Sequence, residues 1–385
     1  MVHLLLAVIY LSFISLGLPD ALLGAAWPIM YQEFGVQVSY AGMISMIIAA
    51  GTIVSSLLSD RLTRYLGTGK VTAISVAMTA AALMGFSFSG SFWVLLLWAI
   101  PYGLGAGGVD ASVNNYVALH YSSRHMSWLH CMWGLGAMIG PSVMGHALTG
   151  GLPWNMGYRY IAFLQIGLTG VLLLTLKLWK TGENSAGEEN SKPLSLGQIL
   201  RIPGAKEVMV AFFCYCALEQ TAALWASSYL ALHKGIPEET AAAYACLFFI
   251  GITVGRGLNG FLTVKFSDTQ LIRLGTGIIG VGAAAMLLPL GQAASLAGLV
   301  LIGLGCAPVY PCIIHSTPAH FGEEHSQALI GVQMASAYVG TLAMPPVFGL
   351  IANHISVALL PVYLLAILGL MALMYERLVK KAEHR

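Results

Sequence analysis

Apolar residues in this chain come in runs too long for a water-soluble fold, and that feature constrains everything else. Twelve segments are solidly apolar: residues 4–31, 40–59, 70–89, 93–118, 127–148, 158–178, 208–231, 240–263, 269–290, 294–318, 327–352 and 356–375. A helix needs roughly 20 such residues to cross hydrocarbon. In lipid every backbone polar group must find its partner inside the structure, which leaves helices or a closed barrel. Barrel strands would be about 10 residues long and would alternate in polarity. These segments do neither. The pattern predicts an all-α polytopic membrane protein with twelve transmembrane helices, the first and eleventh of which have room to be longer or broken. Composition agrees, with 57% hydrophobic and 9% charged residues, against about 25% charged in a soluble domain.

Charge is sorted by loop. With both termini on one side, Arg61, Arg64, Lys70, Arg124, Lys177, Lys180, Lys192, Arg201, Lys206, Lys265, Arg273, Arg377, Lys380, Lys381 and Arg385 share that side, and only Arg159 and Lys234 fall on the other. Basic loops stay in the cytoplasm, so both termini are expected there, in a plasma or bacterial inner membrane. The first run continues to Tyr31 without a basic leader or a small-residue cleavage site, and is expected to remain as a helix. Cys131, Cys214, Cys216, Cys246, Cys306 and Cys312 all lie inside the segments. They read as small packing residues, not as a disulfide or zinc framework. The sequence offers no nucleophile–base set, metal-ligand cluster, phosphate loop or basic patch. An enzyme, a cofactor and a nucleic-acid partner are therefore not expected.

One long polar stretch, residues 181–206, interrupts the apolar pattern and reads as a cytoplasmic linker, part disordered and part surface helix. The two sides of it resemble each other. Gly51-Thr-Ile-Val corresponds to Gly251-Ile-Thr-Val, and Gly103-Leu-Gly-Ala to Gly303-Leu-Gly-Cys, both at an offset of 200. Gly136, Pro141 and Gly145 correspond to Gly340, Pro345 and Gly349 at an offset of 204. Three matches in order argue for a duplicated unit: a six-helix bundle over 1–180, the linker, and a second pseudo-symmetric six-helix bundle over 207–385. Many secondary transporters are built from such repeats, with the substrate site near the bilayer midplane.

Several motifs then resemble a known family. Ser56-Leu-Leu-Ser-Asp60-Arg61-Leu-Thr-Arg64, between segments two and three, is similar to the Gly-x-x-x-Asp-Arg signature of the major facilitator superfamily, with Ser56 in place of Gly. Within it the chain resembles the fucose permease branch of sugar:cation symporters. Gly17-Leu-Pro-Asp20, Asp110-Ala-Ser-Val-Asn114-Asn115-Tyr116, the stretch from Leu129 to Pro141 containing His130 and Trp133, and Gly251-Ile-Thr-Val-Gly255-Arg256 carry that resemblance. Glu219 is similar to an acid in sodium-coupled glucose carriers of the branch. The resemblance implies a major facilitator fold and a sugar carrier working by alternating access. It implies Asp60, Arg61, Arg64 and Arg256 as gating or latch residues, and leaves the coupling ion open. Gly136-x-x-x-Gly140-Pro141 also resembles a signature of drug:proton exporters, with Met144 replacing a Gly of that pattern.

Ionisable groups deep in a span cost about 2.5–3.5 kcal/mol on insertion scales, and Asp20, Asp110 and Glu219 bear that cost. Burial disfavours a carboxyl's charged form, so such a group can take up and release a proton, or ligate Na+ through its oxygens. Asp20 and Asp110 are the expected ion-coupling pair; Asp20, Gly24, Trp27 and Tyr31 share one helical face. Glu219 and Gln220 can exchange hydrogen bonds with sugar hydroxyls, while Trp27, Trp133, Trp225 and Tyr310 offer rings to a sugar's apolar face. Asn114, Asn115, His130 and Gln333 complete the expected substrate site, with Asn259 and His315 as further candidates. Against each stands a plainer role, an interhelical hydrogen bond or a packing contact.

The leading reading is proton- or sodium-coupled uptake of a monosaccharide or similar polyhydroxylated solute, by a protein working as a monomer among membrane lipids. Its rival is a proton-driven exporter of amphiphilic compounds, against which the amides count. A non-transporting sensor or scaffold is disfavoured by the lack of a sizeable soluble domain.

Overall fold

A computed structural model describes residues 2–20, 22–37, 40–183, 194–289 and 291–383. The described residues are helical, without strands. Segment one is two helices, α1 (Val2–Gly17) and α2 (Leu22–Glu33); segments two to six are α3 (Ala41–Leu66), α4 (Thr68–Phe88), α5 (Phe92–His120), α6 (Ser123–Thr149) and α7 (Trp154–Leu174). Short helices α8 (Leu176–Glu183) and α9 (Leu196–Ile199) flank the linker. Its residues 184–193, with Lys192, and the terminal Arg385 lie outside the described residues. Segments seven to ten are α10 (Ala205–Leu232), α11 (Glu238–Leu262), α12 (Asp268–Leu287) and α13 (Gly291–His315). After α14 (Thr317–Phe321), segments eleven and twelve are α15 (Glu323–His354) and α16 (Leu360–Glu383).

Ten helical stretches among the described residues are long and apolar enough to cross a membrane, α1 and α2 together forming one of them. The helix of segment five misses that measure, and the described residues of α11 give the apolar run Cys246–Leu262. Those two helices bury His130, Arg256 and Asn259.

The break in the first segment has a covalent cause. Pro19 has no N–H, so the carbonyl of Ser15 loses the helical partner it would have four residues on. Tight turns follow, Asp20 N to Gly17 O at 3.2 Å and Leu22 N to Pro19 O at 3.1 Å. The freed Ser15 carbonyl accepts instead from Gln165 Nε2 of α7 at 2.6 Å, and Ser15 Oγ donates to Gln165 Oε1. Segment eleven stays one helix despite Pro345 and Pro346.

Glycine spacing converts into helix packing. A Cβ at Gly103 would strike the carbonyl of Ile48, and one at Gly303 the carbonyl of Phe248, 200 residues on. Gly51 lies against Gly103, and Gly251 against Gly303. Gly136 and Gly140 of α6 lie against the carbonyls of Ile14 and Leu18, while Gly340 of α15 lies against that of Phe213. Small residues permit such backbone approach in lipid, and the two halves use it at corresponding places.

By contacts the chain divides into two compact units, Met1–Tyr116 with Leu129–Leu194, and Val117–Trp128 with Ser195–Arg385. The segment joining α5 to α6 therefore packs with the C-terminal helices, where the Trp128 ring lies against Gly260 and 5.9 Å from Phe261.

Candidate functional site

In the first unit, the helix break presents Asp20. Its Oδ1 accepts from the Tyr102 hydroxyl of α5 at 3.3 Å, and its Oδ2 from Trp133 Nε1 of α6 at 2.8 Å. Two donors hold the carboxylate while its residue surface stays exposed. The break also corrects the expected stripe. Asp20 lies in the turn, out of helical register with Gly24, Trp27 and Tyr31. Trp27 is buried in the apolar core, its ring 6.3 Å from Phe92 and 6.5 Å from Tyr31, where it does not face solvent as a sugar platform would.

Asp110, two turns beyond Tyr102 on α5, is only 3% exposed. Asn114 Nδ2 donates to its Oδ1 at 2.8 Å and to its backbone carbonyl at 2.9 Å. With that amide nitrogen committed, Asn114 Oδ1 is the acceptor facing His130 Nε2 at 3.1 Å. The proton between them therefore sits on His130 Nε2. The imidazole stands edge-on to Phe13 at 5.4 Å. Asp110, Asn114 and His130 form a chain buried in protein, with Asn115 buried next to it.

In the second unit, Glu219 of α10 meets Arg256 of α11, Oε1 to Nη2 at 3.4 Å. Arg256, expected as a gating or latch residue, is buried within α11 and paired with Glu219. Gln220 is exposed. Tyr215, one turn before Glu219, donates to the Cys306 carbonyl at 2.9 Å. Tyr310 packs on Phe212 and Tyr215, with ring centroids 4.7 and 6.0 Å away, and its hydroxyl meets Met334 Sδ at 3.2 Å. Trp225 is half-buried and donates to the Pro345 carbonyl at 3.1 Å. Gln333 is fully buried and exchanges hydrogen bonds with Thr317 at 3.0 and 3.2 Å, so its amide serves the protein rather than an open site.

The Asp60 motif lies on the last turns of α3, not in a loop as expected. Asp60 Oδ1 accepts from Arg64 Nε at 2.9 Å, and Arg61 is exposed. Buried Asp60 Oδ2 has no hydrogen-bond partner among the described residues.

A second polar cluster gathers the segment 117–128. His315 Nδ1 lies 2.6 Å from Asp268 Oδ2, and His315 Nε2 lies 3.1 Å from the Tyr121 carbonyl. Both ring nitrogens face acceptors, the arrangement of an imidazolium. Ser123 Oγ donates to Asp268 Oδ1, and Asn259 Nδ2 to Ser127 Oγ at 2.7 Å. Nearby His320 is held below the usual imidazole range by burial, which outweighs the opposing charge of Asp268. His315 and Asn259, expected at a substrate cavity, are spent here. Tyr102 and Asp268 were absent from the sequence-based candidates. Tyr102 carried a signal, standing two turns before Asp110 on one helix; Asp268 looked like an ordinary first-turn acid. Among the described residues no cluster of His, Cys, Asp and Glu is arranged to hold a metal ion.

Comparison with known proteins places this geometry in a family. The Major Facilitator Superfamily model matches residues 9–314 and 208–385. Bypass of stop codon protein 6 of Saccharomyces cerevisiae is 23% identical over 68% of this chain, which spans 57% of that longer protein. The glucose/mannose transporter GlcP of Bacillus subtilis is 21% identical, over 78% of this chain and 77% of its own. Among solved structures, FucP in its outward conformation superposes with a TM-score of 0.78 at 15% identity, covering 96% of this chain and 98% of FucP. A second structure, of the E. coli fucose:proton symporter FucP, gives 0.72 at 16% identity. The shared fold is the twelve-helix one expected from the apolar segments. The chain belongs to the Major Facilitator Superfamily, and is a multi-pass membrane transporter rather than an enzyme.

Proposed function

We propose that the protein takes up a monosaccharide or similar polyhydroxylated solute, coupled to a proton, by alternating access. The observation that carries this reading is Asp20: a carboxylate in a helix break, gripped by Tyr102 and Trp133 yet exposed. Such a group can exchange a proton and meet a solute hydroxyl at the same place. The sugar transport named for GlcP and the fucose:proton symport named for FucP support it. Asp20 and Asp110 are the coupling residues, and Asn114 with His130 holds Asp110. Glu219 and Gln220 take the solute, with Tyr310 as a flanking ring. The rival reading, a proton-driven exporter of amphiphilic compounds, would be served by an apolar lining, whereas these residues are carboxylates, amides and a guanidinium.

The protein works as a monomer in a plasma or bacterial inner membrane, with both termini cytoplasmic. The test is uptake into proteoliposomes of a panel of labelled sugars, under a proton or a sodium gradient. Accumulation of a neutral sugar under the proton gradient alone is expected. Accumulation under sodium alone would replace the ion, and accumulation of no sugar under either would overturn the reading.

A further inference from the structure

Arg256 is 6% exposed, and its guanidinium keeps its charge in a protein. Removing the partner of a buried charge is strongly destabilising. Glu219 compensates that charge, but loosely. The contact is a single approach of 3.4 Å, not the paired bonds of a bidentate bridge, and the carboxylate side chain is 21% exposed. Tyr215 and Tyr310 flank the pair, and Gln220 beside it is exposed. The pair is neutral overall, yet it offers a fixed donor beside a fixed acceptor.

A hydroxyl group both donates and accepts. Neighbouring hydroxyls of an uncharged solute can therefore accept from Arg256 and donate to Glu219 without adding charge. A carboxylate on the solute would be drawn to Arg256 and repelled by Glu219 next to it; an ammonium group would meet the opposite conflict. We infer that the Glu219–Arg256 pair is a charge filter, which makes the second unit accept uncharged polyhydroxylated solutes and reject sugar acids and amino sugars. The inference rests on the second unit being the sugar-recognising half. It adds Arg256 as a specificity-determining residue and fixes the charge class of the solute.

Four purified full-length proteins test it: wild type, Glu219→Gln, Arg256→Gln and the double variant. Binding is read as a ligand-induced shift in thermal unfolding, with D-glucose, D-glucuronate and D-glucosamine as probes at slightly acidic pH, where the second is an anion and the third a cation. Wild type should respond to glucose alone. Glu219→Gln should lose that response and gain one to glucuronate. Arg256→Gln should lose it and gain one to glucosamine, and the double variant should respond to neither charged probe. Without ligand, each single variant should unfold at a lower temperature than wild type, and the double variant should recover part of the loss.

The filter is overturned if the single variants lose glucose without gaining the probe of matching charge, or keep glucose unchanged. It is also overturned if wild type accepts a charged probe as readily as glucose, an outcome that leaves the sugar reading intact. If wild type binds none of the probes while the variants still sort the charged ones, the filter stands and the sugar reading falls. Should one single variant fail to fold, the other still reports on the matching charge.

Discussion

The acids of the two units are held in different ways. In the first unit, Asp20 and Asp110 are held by uncharged donors, Tyr102, Trp133 and Asn114. In the second, Glu219 is held by a cation, Arg256. The difference bears on what each acid can do. A carboxylate among neutral donors can lose its charge without stranding an opposite one. A carboxylate beside a buried guanidinium cannot, because protonation would leave Arg256 uncompensated. Coupling to a proton is thus suited to the first unit, and fixed-charge recognition to the second, although both are built on one duplicated frame.

The comparison can be broken by substitution. Asp110→Asn should have the largest effect, abolishing uphill accumulation in proteoliposomes while labelled solute still exchanges at equal concentrations. Survival of accumulation would remove Asp110 from coupling. His130→Ala should act next in size. It frees Asn114 Oδ1 from its partner and lets the amide turn away from Asp110, so the pH dependence of transport should move with little change in solute affinity. His130→Gln, which can still donate to Asn114, should restore part of the wild-type profile; an unchanged profile in both variants would exclude this positioning role.

A third experiment probes the segment that joins α5 to α6, and so joins the helices of Asp110 and His130, yet packs with the second unit. Cys312 lies beneath it, 3.9 Å from Ser123 Oγ and 3.8 Å from Asn259 Nδ2. With the other five cysteines replaced by Ser, Cys312 should react slowly with a thiol reagent. Asp268→Asn, which removes the charge facing His315, should raise its labelling rate severalfold. Equal rates would show that the Asp268–His315 contact does not hold the segment down. The smallest effect is expected for Gln165→Leu. It orphans the Ser15 carbonyl at the break that presents Asp20, at a cost of about 1–3 kcal/mol, read as a lower unfolding temperature.

Much of the frame was legible because lipid leaves so few options. The apolar segments could only be helices, and the glycine pairs Gly51/Gly251, Gly103/Gly303 and Gly136/Gly340 proved to be places where backbones touch, whereas Gly145 and Gly349 are not. The acids were legible for the same reason, since a charge within a span stands out. Partnership was not. Glu219 and Arg256 lie 37 residues apart on different helices, and nothing in sequence spacing pairs them. Pro19 announced a disturbance, but treating its helix as continuous put Trp27 on the wrong face. Gln333, His315 and Asn259 are polar in apolar segments and looked like lining groups; each is bonded within the second unit. The sequence shows that a buried polar group needs a partner, not whether that partner is protein or solute.

The central claim is the division of labour between Asp110 and Glu219. Its most direct test measures, in the same proteoliposomes, gradient-driven accumulation and equilibrium exchange of one labelled neutral sugar by wild type, Asp110→Asn and Glu219→Gln. Asp110→Asn is predicted to lose accumulation and keep exchange, and Glu219→Gln to lose both through weakened binding. The opposite pattern, with exchange lost in Asp110→Asn and only accumulation lost in Glu219→Gln, would contradict the account.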